Sequence, residues 1–78
     1  MKVIGFAESS FTAKDTGAVI QGMNIFVTFE NKRTTGIACD RLYISRQRLE
    51  DCCYYPSIGD DIEPLYNRYG KISGIRLN

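Results

Sequence analysis

The chain has 78 residues, 44% apolar and 24% charged, which makes one domain over residues 1–78 with a small core that self-association would help. Its formal net charge of +1 argues against binding a polyanion by bulk charge alone, and the absence of histidine removes Ser-His and Cys-His nucleophile pairs. No apolar run approaches the roughly 20 residues of a membrane span, and Met1-Lys2-Val3-Ile4-Gly5 lacks a signal peptide's apolar block, so a cytoplasmic protein with no membrane partner is expected.

Residues 2–8, with Val3, Ile4 and Phe6, predict a first strand, and Thr12 to Gly17 has the composition of a tight reversal. Residues 18–30 carry the longest alternation. Val19, Gln21, Met23, Ile25, Val27 and Phe29 share one face, mostly apolar; Ile20, Gly22, Asn24, Phe26, Thr28 and Glu30 share the other, mostly polar. Gly22 predicts a bulge or bend of the kind a curved strand needs. Asn31 to Gly36 reads as an exposed hairpin loop, and residues 37–44 as a third strand. Ser45 is placed to cap a short helix over about 46–53, with Ile44 and Leu49 as a hydrophobic staple and Leu49, Cys52 and Cys53 on one face. Pro56 stops that helix.

Ser57 to Asp61 reads as a turn, which accounts for Asp60-Asp61 more simply than a catalytic or metal-binding pair does. Strands follow near 62–67 and 71–77, joined by Asn67-Arg68-Tyr69-Gly70 with Gly70 at the left-handed position; Pro64 marks an edge or bulge. The order is three strands, a helix and two strands. The expected fold class is therefore mostly β: a five-stranded OB-like barrel with one short helix between strands 3 and 4.

Cys39, Cys52 and Cys53 are odd in number, two are adjacent, and none forms a C-x-x-C pair. Neither a disulfide framework nor a metal site is expected, and the three read as small buried apolar side chains. No cofactor and no small-molecule substrate are expected, and the protein is not read as an enzyme.

The charge is segregated. Residues 31–48 hold Lys32, Arg33, Arg41, Arg46 and Arg48 against Asp40; residues 49–63 hold Glu50, Asp51, Asp60, Asp61 and Glu63 with no base; residues 64–78 hold Arg68, Lys71 and Arg76 with no acid. Aromatics accompany the basic stretches: Phe26 and Phe29, Tyr43, Tyr66 and Tyr69. Cations interleaved with flat rings suit a single-stranded nucleic acid, because phosphates need charge and unstacked bases need a π-face.

The candidate nucleic-acid-binding residues are Phe26, Lys32, Arg33, Arg41, Tyr43, Arg68 and Tyr69. Phe26 sits on the polar face of strand two, where it either stacks on a base or packs in a dimer or cross-strand pair. Tyr43 shares a face with Arg41 and Cys39 and is either a stacking ring or a core residue with a satisfied hydroxyl. Lys32 and Arg33 occupy a loop tip, either as phosphate contacts or as a solvated turn. Arg41, mid-strand, is the more telling cation, with Asp40 on the opposite face. Tyr69 lies at a hairpin tip, while Tyr54 and Tyr55 are expected to close the core.

Lys2-Val3-Ile4-Gly5-Phe6, Asn24-Ile25-Phe26-Val27 and Gly59-Asp60 with Tyr66-Asn67-Arg68-Tyr69-Gly70-Lys71-Ile72 carry a resemblance across the whole chain. The pattern resembles the small helix-destabilising, single-stranded-DNA-binding proteins of filamentous phage, and is similar to short proteins on mobile elements of Gram-positive bacteria. The resemblance implies an OB-type barrel, a homodimer, and cooperative coating of single strands with little sequence preference. It would put Phe26 on bases and Lys32 and Arg33 on phosphates. The chain departs from that family in being nearly neutral.

The expected function is thus non-enzymatic coating of single-stranded DNA, with RNA as the alternative polymer, in phage or plasmid replication or transfer. The competing expectation is a small barrel serving as a protein-interaction adaptor or host-inhibitory module, with Glu50 to Glu63 as its contact surface.

Overall fold

The apolar residues at alternate positions Met23, Ile25 and Val27 turn one row of β2 side chains inward, and that row seeds the core. The computed structural model describes residues 1–78. The strands are β1 (Lys2–Thr12), β2 (Val19–Phe29), β3 (Ala38–Ser45), β4 (Ile62–Tyr66) and β5 (Ile72–Leu77), and α1 (Arg46–Asp51) lies between β3 and β4. The molecule is mostly β, in two antiparallel sheets of order β1-β2-β3 and β4-β5.

Register fixes the faces. Val3 pairs with Val27, Phe6 with Ile25, Leu42 with Ile25 and Ile44 with Met23, so these side chains share the inner face. Val3, Met23, Ile25, Val27, Leu42 and Ile44 join Leu49, Ile62 and Ile75 in a core of nine buried apolar residues. At about 25 cal/mol per Å² of apolar surface removed from water, this row is the main reason the sheets stay together.

The sheets are joined at the start of β1. Lys2 bridges to Asp61, Val3 N–H donates to the Asp60 carbonyl (2.8 Å), and Ile62 N–H donates to the Met1 carbonyl (2.8 Å). On the other side β3 and β5 pack together without a hydrogen-bonded ladder between them. Beyond the Gly22–Ser45 pair, β1 and β2 run on as a two-stranded arm, which contributes to the molecule's extents of 43 × 26 × 25 Å.

Ser45 caps α1 as expected, its Oγ accepting from Arg48 N–H (3.4 Å). Gly70 adopts φ 76°, which favours glycine in the tight β4–β5 hairpin.

Several local expectations need correction. The first strand extends to Thr12 rather than ending at residue 8, because pairing with β2 holds the polar segment Ala7 to Ser10 extended. Gly22 is in continuous register on both sides, and the β1–β2 irregularity falls instead between Val3 and Gly5. The helix ends at Asp51, and Cys53, with φ 55°, has left it. Two of the cysteines are not buried apolar fillers: Cys39 lies exposed on β3 opposite Thr28 and Cys53 is exposed, while Cys52 is half-buried against the core. Tyr54 packs against the core, but Tyr55 is 68% exposed and only edges the Phe6 ring, at 6.0 Å between centroids.

No helix is long and apolar enough to cross a membrane.

Candidate nucleic-acid interface

The face of β1-β2-β3 turned away from the core holds the side chains that the inward row leaves behind. On β2 these include Asn24, Phe26 and Thr28; on β3, Cys39, Arg41 and Tyr43; on β1, Lys2, Ala7 and Phe11. No strand residue on this face is a carboxylate: Glu8 pairs with Met23 and Asp40 with Val27, which assigns both to the opposite face.

Phe26 stands directly between Gly5 and Arg41 across the sheet. A β-carbon on Gly5 would lie 3.7 Å from Phe26 Cδ2, so the ring leans over the bare backbone of β1. It remains 39% exposed. A half-covered ring on a polar sheet face is a ready stacking surface, whether for a base or for another protein ring.

Tyr43, 38% exposed, is not a core residue. A β-carbon on Gly22 would lie 2.5 Å from Tyr43 Cζ and 2.7 Å from Cε2, so the outer end of this ring occupies the space any other residue would claim. Phe11 braces it, with ring centroids 6.3 Å apart and planes tilted by 52°. The glycine expected to bend β2 instead makes room for an aromatic ring.

The cations on this side carry no partner. Arg41 makes no ion pair, and Asp40 is occupied in accepting the backbone N–H of Arg41 (2.7 Å). Lys2, Lys32, Arg33, Arg48, Arg68 and Lys71 are likewise free of carboxylates; of the ten bases only Arg46 and Arg76 are ion-paired.

Five of the nine acids are engaged elsewhere, while Glu8, Asp15 and Glu30 hold no partner. Glu50 holds Arg46 (3.7 Å), Glu63 holds Arg76, Asp61 meets the N-terminal ammonium (3.2 Å), and Asp51 accepts from Gln47 Nε2 (3.1 Å). Such exposed pairs add little stability, but they cancel negative charge that would otherwise repel a polyanion. Asp60 accepts from the Tyr54 hydroxyl (2.9 Å) and from Ser57 N–H (3.0 Å). Burial, reinforced by the bond to Asp60 and its charge, pushes the Tyr54 hydroxyl well above its ordinary ionisation range.

The structure thus brings Phe26, Arg41 and Tyr43 onto one exposed face. Lys32 and Arg33 lie on the exposed 31–37 loop beyond the end of β2, and Arg68 and Tyr69 on the β4–β5 hairpin, the guanidinium 5.2 Å from the Tyr69 ring centroid. The hairpin approaches the sheet through Lys71, which shares a depression of about 390 Å³ with Tyr43, Ser45, Arg48 and Ile72. Four residues around this face escape sequence reasoning: Lys2, Phe11, Arg48 and Lys71. Phe11 was legible only if the first strand had been carried past Ser10; Lys71 comes beside Tyr43 through tertiary packing, and Arg48 through the β3–α1 junction.

A second cleft, of about 440 Å³, lies between the arm and α1 and is lined by Glu8, Gln21, Met23, Arg46, Leu49 and Tyr54 among others. Its one cation, Arg46, is held by Glu50 and donates to Gln21 Oε1 (3.0 Å). Two carboxylates against one arginine make this side unattractive to phosphate.

No cluster of His, Cys, Asp or Glu side chains is arranged to hold a metal ion. Comparison of the chain with protein-family models, with curated proteins and with solved structures finds no match.

Proposed function

We propose that the protein binds single-stranded DNA without enzymatic activity and with weak sequence preference, coating single strands in the cytoplasm during phage or plasmid replication or transfer. The observation that carries this reading is the outer face of β1-β2-β3: Phe26 and Tyr43 lying over glycines, the unpaired Arg41 beside them, and no carboxylate among the strand residues that point outward. Exposed rings take bases and free cations take phosphates, while five of the nine acids are taken up in ion pairs and hydrogen bonds on other surfaces.

The element order supports an OB-like five-stranded barrel as the architecture behind this face, as do the Lys2–Asp61 bridge just before β4 and the packing of β3 against β5. Assembly as a homodimer belongs to the same reading; a core of nine residues is small, and Ile4, Val19 and Ile20 are left bare along β1 and β2.

The test is titration of a labelled oligo-dT at several salt concentrations. Binding whose log affinity falls by roughly 0.7 per contacted phosphate for each decade of salt is expected. No binding at low salt refutes the reading. Matched RNA and DNA oligomers in competition then assign the preferred sugar.

A further inference from the structure

We propose that the depression where β3, α1 and β5 meet is a nucleotide subsite of its own, in which Tyr43 takes a base and Arg48 and Lys71 take the adjoining phosphate, and that Gly22 positions the Tyr43 ring. This rests on the reading of the outer face as a single-strand-binding surface and extends it to residues beyond the Phe26–Arg41 pair.

Two independent observations meet here. The first is steric. Gly22 lies in a regular strand, paired with Ser9 on one side and Ser45 on the other, and needs no unusual backbone conformation. A glycine in such a place costs stability relative to alanine. What it permits is the position of Tyr43: a β-carbon at residue 22 would fall 2.5 Å from Cζ and 2.7 Å from Cε2, too close for any real side chain. Gly22 leaves room for the ring to lie on the sheet and Phe11 packs beside it, and preorganisation of this kind spares the cost of ordering a ring on binding.

The second is electrostatic. Lys71 comes from a distant part of the chain, yet it lines the same depression as Tyr43, Ser45 and Arg48 of the β3–α1 junction. Neither forms an ion pair, while neighbouring Arg46, on the opposite side of α1, is paired with Glu50. Two unpaired cations beside one exposed ring give the pairing of charge and π-surface that a nucleotide requires, and the Ser45 hydroxyl adds a polar group at the rim.

Oligo-dT titration over a salt series tests the subsite, with Arg46→Gln as a control outside it. Lys71→Gln and Arg48→Gln are each expected to reduce the slope of log affinity against log salt by roughly 0.7, and Arg46→Gln to leave it unchanged. Gly22→Ala is expected to weaken binding about ten-fold in the otherwise native chain and to cost nothing further in a Tyr43→Ala background. Thermal melts of each variant report folding; if Gly22→Ala does not fold, the Lys71 and Arg48 slopes decide. Unchanged slopes in both cation variants, or an equal Gly22→Ala penalty with and without the Tyr43 ring, overturn the subsite. If those variants are silent while Phe26→Ala still weakens binding, the subsite alone falls. If the native chain does not bind oligo-dT, the reading beneath it falls as well.

Discussion

Replacing Phe26 separates stacking from structure. The ring is 39% exposed, leans over Gly5 and stands opposite Arg41, so it makes ordinary cross-strand packing on one side and offers the rest to solvent. Packing of that kind is worth about 0.2–1 kcal/mol, whereas a stacked base is worth about 1–3 kcal/mol. Phe26→Ala should therefore lower the melting temperature by no more than about 8 °C, given about 4–8 °C per kcal/mol for a domain of this size. It should raise Kd for oligo-dT by about 5- to 150-fold. Phe26→Leu keeps an apolar cover over Gly5 but has no π-face, so it should melt close to the native protein and bind almost as poorly as the alanine variant. Neither substitution should alter the salt slope, because neither removes a phosphate contact. Fluorescence anisotropy at several salt concentrations, paired with thermal melts, measures all three quantities. Native-like affinity for Phe26→Leu would refute the stacking argument, and a reduced salt slope would show that the loss came from displaced cations instead.

Three further outcomes follow from the geometry. Arg41→Gln should lower the salt slope by roughly 0.7 with little change in melting temperature, since Arg41 is exposed and holds no carboxylate. Tyr54 is held neutral by burial and by its hydrogen bond to Asp60, so its ionisation is raised in the folded state. The resulting stability is intact below the unfolded tyrosine's pKa of about 10 and is lost as pH rises above it. Urea midpoints between neutral and strongly alkaline pH should fall in the native protein, and less steeply in Tyr54→Phe, which gives up the hydroxyl at a cost of about 1 kcal/mol. Ile25→Ala, at a fully buried position paired with Phe6 and Leu42, should cost about 2–5 kcal/mol in chemical denaturation, enough to unfold a domain with so small a core.

The element order was readable because apolar residues recur at every second position of β2 from Met23 to Val27 and because Ser45, Pro56 and Gly70 punctuate the chain where helix and hairpin begin or end. Placing Phe26 on the polar side of β2, and Arg41 with Tyr43 on one side of β3, needed only period-two counting, and the register agrees with it. What escaped depends on contacts between distant segments. Nothing in Ala7-Glu8-Ser9-Ser10 signals a strand; pairing with β2 makes one, and brings Phe11 to Tyr43. Gly22 carried the signal of a bulge because a lone glycine in a strand has two explanations, a bend or a close neighbour, and only the third strand's position reveals the neighbour. The cysteines read as buried fillers by residue type, yet Cys39 falls on the solvent side of β3 by parity and Cys53 lies past the end of α1. The meeting of Arg48 and Lys71 depends on how the second sheet docks, which no local pattern encodes.

The central claim is that the side of the three-stranded sheet on which the strands present no carboxylate receives the nucleic acid and that the Arg46–Glu50 cleft on the other side does not. Amide chemical-shift mapping during titration with unlabelled oligo-dT tests it directly. The account predicts the largest shifts at Phe26, Arg41, Tyr43 and their cross-strand neighbours, with Glu8, Gln21 and Glu50 unmoved. Shifts gathered around the cleft, or none at all at low salt, would contradict it.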